Sequence, residues 1–142
     1  MNNQDFFQNK VIVITGASGG IGKAAALIFA QLNAKVVLAS RNIEKLEALK
    51  QEIESKGGNA IVVKSDVSLF EDTQRIVKET ISKWGRIDVL IANAGMYFQD
   101  ASREIDLESF KRSMNLNSIN NHFPRLLDWF YRKFRIEGEM IK

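Results

Sequence analysis

The stretch Thr15-Gly16-Ala17-Ser18-Gly19-Gly20-Ile21-Gly22 lies between an apolar run, Val11-Ile12-Val13-Ile14, and a segment of helix formers, Lys23-Ala24-Ala25-Ala26-Leu27-Ile28-Phe29-Ala30. A short uninterrupted apolar run reads as a strand buried on both faces, so the glycines occupy a strand-to-helix turn. Glycine suits such a turn because it tolerates positive φ and has no Cβ. The backbone can then reverse sharply and approach an anion at the start of the helix. Placed after a buried strand, before a helix and inside a strand-helix-strand unit, such a repeat is the cradle for the diphosphate of a dinucleotide. A loop that only tightens packing is the alternative.

The rest of the chain continues the alternation of Val/Ile-rich runs with amphipathic stretches, which predicts an α/β fold with a parallel sheet. The first strand is expected at residues 10–15, and its helix places Ile21, Ala24, Ala25, Ile28, Phe29 and Leu32 on one face before Asn33 ends it. A second strand, Val36-Val37-Leu38-Ala39, stops at Ser40-Arg41. Asn42 can cap the next helix, whose Leu46, Leu49 and Ile53 face the core and which Gly57-Gly58 terminate.

The third strand, Ala60-Ile61-Val62-Val63, ends near Ser65-Asp66-Val67. Ser68 and Glu71 have capping-box spacing, and Thr73, Ile76, Val77, Thr80, Ile81 and Trp84 form the core stripe of a helix closed by Gly85. A fourth strand, residues 87–92, runs into Asn93-Ala94-Gly95. A helix with Leu107, Phe110 and Met114 on one side is expected from the cap Asp106. Beyond Asn117 short polar residues and Pro124 break the pattern, and Leu126, Leu127, Phe130, Tyr131 and Phe134 suit one face of a last short helix.

Composition narrows the functions this fold can serve. The chain has 142 residues, one domain's worth but short for a complete dinucleotide-dependent enzyme. A net charge of +3 is spread over mixed charges without a basic run, so neither nucleic acid nor an anionic membrane is an expected partner. With no cysteine and the single His122, no disulfide framework and no metal site are expected. No segment approaches the ~20 apolar residues of a membrane span, and the chain reads as soluble and cytoplasmic.

These residues resemble the first half of a short-chain dehydrogenase/reductase, a family of Rossmann-fold, NAD- or NADP-dependent oxidoreductases. The resemblance covers about residues 8–120 and implies a doubly wound parallel sheet, here truncated after about four strands. The family's T-G-x-x-x-G-x-G pattern for the diphosphate stands complete as Thr15, Gly16, Gly20 and Gly22, with Ser18 and Ile21 inside it. Its adenine-contacting Asp falls on Asp66, beside Val67, and its N-A-G motif near the nicotinamide ribose on Asn93, Ala94 and Gly95. The resemblance places the family's active-site Asn at Asn117, with Asn115, Asn120 and Asn121 as neighbouring alternatives. Taken singly, Asn93-Ala94-Gly95 also reads as a turn and Asp66 as a helix-proximal cap.

Cofactor choice turns on the end of the second strand, about twenty residues past the glycine turn, where an acid would hold the ribose 2′-OH of NAD. Here stand Ser40 and Arg41. A guanidinium can bind a 2′-phosphate bidentately, so NADP is favoured over NAD, with an exposed strand-end Arg as the alternative.

The resemblance implies a catalytic Tyr and Lys in Y-x-x-x-K, and the chain has neither pairing: Tyr97 is followed four residues on by Ala101, and Tyr131 by Arg135. Tyr131 lies only fourteen positions after Asn117, too few for a fifth strand between them. The expectation is therefore a catalytically incomplete, NADP-binding half-domain over residues 1–120, with residues 121–142 a tail that departs from the family. A truncated gene product is favoured over a non-catalytic binding module or one part of a split enzyme. A carbonyl or alcohol substrate would enter only if the missing half were supplied. Its fourth strand would form an open edge guarded only by Asp88, inviting self-association.

Overall fold

A computed structural model describes residues 3–94. Four parallel strands form one sheet: β1 (Val11–Thr15), β2 (Lys35–Ser40), β3 (Asn59–Lys64) and β4 (Val89–Ile91), in the order β3-β2-β1-β4. The chain first moves outward from β1 to β2 and β3, then returns to the other side of β1. Right-handed crossovers therefore place the connecting helices on opposite faces. Helices α2 (Gly20–Gln31) and α3 (Ile43–Ser55) bury one face with Ile12, Ile14, Val36 and Leu38, and α4 (Phe70–Trp84) covers Val11, Val13, Val37 and Ala39 on the other. Burial on both faces explains why β1 is apolar from Val11 to Ile14. The point where strand order reverses lies between β1 and β4, above whose carboxyl ends such sheets bind ligands.

The helix boundaries follow local chemistry. Asn42 caps α3 by accepting the Lys45 amide at 3.1 Å, and Leu46, Leu49 and Ile53 are buried as their spacing predicts. Gly85 ends α4 at φ 74°, and Asn33, also left-handed at φ 62°, follows the end of α2. A helix not expected from the sequence, α1 (Asn3–Phe7), precedes β1, and its Phe7 packs edge-on against Phe29 of α2 with ring centroids 5.1 Å apart.

Three expectations require correction. In α2 the buried residues are Gly22, Ala26 and Ala30, whereas Ile21 and Ile28 are 79% and 56% exposed. The helix lies so close to the sheet that a Cβ on Gly22 would stand 2.3 Å from the Gly16 carbonyl oxygen, so a line of small residues faces inward and the larger ones flank it. The capping position of α4 is Leu69 and not Ser68, and it has no side-chain cap. The Ser68 hydroxyl instead donates to Asp66 Oδ1 at 2.6 Å. Finally, β4 spans only Val89–Ile91, because side chains take over backbone partners at both its ends: the Asp88 carboxylate below, the Thr15 hydroxyl above.

Candidate functional site

A cleft of about 570 Å³ opens at the carboxyl ends of the strands. Its floor is the turn between β1 and α2, where Gly16 and Gly20 adopt φ of 65° and 55°. The glycines divide into two kinds. A Cβ on Gly16 would lie 2.9 Å from the Ala94 Cα and one on Gly22 2.6 Å from Asn93 Nδ2, so these two let the turn, the helix and the segment after β4 close together. At Gly19 and Gly20 a Cβ would meet nothing within 4 Å, and there bare backbone faces open space. Gly19 is also the N-cap of α2 and has no side chain to satisfy the first-turn amides. Uncapped N–H groups and the positive end of the helix dipole suit an anionic ligand at this point.

Thr15 joins the two sides of the strand reversal. Its hydroxyl accepts the Asn93 and Ala94 amides, each at 3.1 Å, and donates to the Ile91 carbonyl at 3.4 Å. Asn93 Nδ2 in turn donates to the Gly16 carbonyl at 3.3 Å. Thr15 and Gly22 thus shape the cleft from beneath, while Gly16, Ser18, Gly20 and Ile21 line it, as do Asn93 and Ala94.

The other half of the cleft rests on β2 and β3. Ser40 and Asn42 fix the backbone around Arg41: the Ser40 hydroxyl oxygen accepts the Asn42 amide at 3.1 Å, and Asn42 caps α3. Arg41 is exposed at the rim, and among the described residues no carboxylate pairs with it. Asp66 and Val67 form the facing wall. Gly19, Asn42 and the buried Ser65 also line the cleft, although from the sequence Asn42 is expected only as a helix cap and Gly19 and Ser65 carry no role at the site. Their signal was proximity to motif residues, since each adjoins one. Gly95 and Asn117 lie outside the described residues, as do Tyr97, Tyr131 and the segment 121–142.

No described helix is long and apolar enough to cross a membrane, and among the described residues no three acidic or His side chains gather around a metal position.

The profile of the short chain dehydrogenase family matches residues 10–121. The chain belongs to this family. An uncharacterized oxidoreductase of Listeria monocytogenes is 41% identical over 110 residues, covering 78% of this chain and 44% of that protein. A short chain dehydrogenase structure from Bacillus anthracis superposes with a TM-score of 0.79 at 31% identity, over 96% of this chain and 56% of the other. A metagenomic short-chain oxidoreductase, solved in complex with NADP, gives 0.77 at 30% identity, over 89% and 59%. The chain thus spans about half the length of these relatives.

Proposed function

We propose that this chain binds NADP(H) in the cleft and is the dinucleotide-binding half, residues 1–120, of a short-chain dehydrogenase/reductase acting between a carbonyl and an alcohol. Bound there, the cofactor supplies the hydride donor or acceptor. The observation that carries the reading is Arg41, unpaired among the described residues at the rim of a cleft floored by bare glycine backbone. The relative solved with NADP supports it.

Each residue then has a task. The α2 amides and Gly19-Gly20 receive the diphosphate, Ile21 and Ser18 border it, and Arg41 takes the 2′-phosphate. Asp66 and Val67 form the adenine wall, and Asn93, Ala94 and Gly95 lie at the nicotinamide end. Asn117 belongs to the catalytic centre of the full fold. A positioned Tyr is the proton donor the 142 residues do not supply through Y-x-x-x-K, so they bind without turnover.

Calorimetric titration tests this directly. Wild type is expected to bind NADP⁺ more tightly than NAD⁺, and Arg41→Asp to lose about 1.5 to 3 kcal/mol for NADP⁺ while gaining preference for NAD⁺. Equal NADP⁺ affinity in both proteins removes the reading of Arg41. NADPH oxidation by the isolated chain with ketones or aldehydes, abolished by Tyr131→Phe, overturns the absence of turnover.

A further inference from the structure

The wall formed by Ser65, Asp66 and Val67 is irregular backbone beyond the end of β3, and its polar groups must be satisfied from elsewhere. Toward β2, the Ser65 amide donates to the Ser40 carbonyl at 2.8 Å. On the other side α4 reaches back with two side chains. Asp72 Oδ2 accepts the Asp66 amide at 2.7 Å, and an Arg75 guanidinium N–H donates to the Lys64 carbonyl. The same two side chains pair with each other at 3.1 Å, Arg75 Nη1 to Asp72 Oδ1. Asp72 is itself placed by its amide, which donates to the Leu69 carbonyl at 3.1 Å, and its side chain is only 17% exposed.

The backbone groups on either side of Ser65 are therefore gripped by one ion pair that does not line the cleft. With its amide fixed, Asp66 turns its carboxylate so that Oδ1 takes both the amide and the hydroxyl of Ser68, at 3.0 and 2.6 Å. The geometry points to Asp72 and Arg75 as positioning residues that set this wall for the adenosine end of the ligand. The inference rests on the NADP reading: a 2′-phosphate at Arg41, on the end of β2, lays the attached adenosine against the neighbouring end of β3. Charge-assisted hydrogen bonds to backbone amides are short and directional, so Asp72 fixes the wall more firmly than a neutral group would.

The test separates the two ends of the ligand. Adenosine 2′,5′-bisphosphate, nicotinamide mononucleotide and NADP⁺ are titrated into wild type, Asp72→Asn and Arg75→Lys, with a thermal melt of each protein. Asp72→Asn is expected to weaken the adenosine probe and NADP⁺ about five- to tenfold and leave the nicotinamide probe unchanged. Arg75→Lys keeps the ion pair and loses the fork that reaches Lys64, so it shifts the same probes by a smaller factor and stands in if Asp72→Asn does not fold. A lowered melting temperature with unchanged adenosine affinity overturns the inference, as does equal weakening of both fragments. Failure of wild type to bind NADP⁺ at all overturns the reading beneath it instead.

Discussion

The Val11 amide donates to Asp88 Oδ2 at 2.8 Å, and the Asp88 amide donates to the Val11 carbonyl at 2.9 Å. Two residues 77 positions apart thus close a ring at the lower end of the β1 and β4 pairing. The side chain of Asp88 is 11% exposed and also accepts from Arg86 Nε at 3.1 Å. Burial alone pushes its carboxyl upward, but the Arg86 hydrogen bond, the Val11 amide and the charges of Arg86 and Lys10 outweigh it, and the net shift is down from 3.8.

The sign of the pH dependence follows. A carboxylate with a depressed folded-state pKa contributes stability that is fully present above its unfolded value, near pH 4, and is lost as pH falls through the folded value. Asp88→Asn is expected to cost about 1 to 2 kcal/mol at pH 7 and to flatten the loss of stability below pH 4. Urea melts from pH 7 to pH 3 measure both. Parallel curves for the two proteins would show that Asp88 does not carry the acid dependence.

Thr15 performs the corresponding task at the upper end: the residue is 2% exposed, and its hydroxyl donates to Ile91 and accepts from Asn93 and Ala94. Thr15→Val keeps the shape and leaves the Asn93 and Ala94 amides without their acceptor, an expected loss of about 2 kcal/mol. Thr15→Ser retains the oxygen and should recover most of that loss. Denaturant midpoints of the three proteins decide, and a Val variant as stable as wild type would mean that water replaces the hydroxyl.

The glycines make opposite predictions according to what surrounds them. At Gly22 an added methyl strikes the Gly16 carbonyl and Asn93, so Gly22→Ala should cost about 1 to 3 kcal/mol by overpacking. At Gly19 the space is open, and Gly19→Ala should cost under about 1 kcal/mol of stability while weakening NADP⁺ by filling the floor of the cleft. Paired melts and titrations distinguish the two. Unaltered NADP⁺ affinity in a well-folded Gly19→Ala protein would remove the floor from the binding site.

The strands, α3 and α4 were legible because each announces its burial: β1 is apolar from Val11 to Ile14, and Leu46, Leu49 and Ile53 recur at helical spacing. The buried face of α2 was not, because hydrophobicity favours Ile21 and Ile28 while the close approach to Gly16 admits no side chain at Gly22, and Ala26 and Ala30 continue that small-residue face. The failed capping box has a similar cause. Local spacing marks Ser68, but α4 takes Leu69 as its N-cap, and Ser68 is drawn to Asp66, which its hydroxyl and amide both reach. At the cleft, glycines and Arg41 stood out by residue type and order along the chain. Ser65 and Asn42 did not, since their place depends on β2 and β3 ending side by side, and the bond between Thr15 and Asn93 spans 78 positions that no local pattern records.

In β4, Val89, Leu90 and Ile91 are each half-buried, and among the described residues the strand's one neighbour is β1. Asp88 does not guard its outer edge as the sequence suggested, because the carboxylate is held by Val11 and Arg86. Since the Asp88 amide points to β1, alternation along the strand turns the Val89 N–H and C=O away from it, toward a side with no partner strand among the described residues. The protein is therefore expected to self-associate with rising concentration in light scattering. Val89→Pro removes an outward donor without losing a bond to β1 and should raise the monomer fraction. A monodisperse wild-type monomer at every concentration, unfolding in one cooperative urea transition, would show that this edge is covered and that β4 is not where copies of the chain meet.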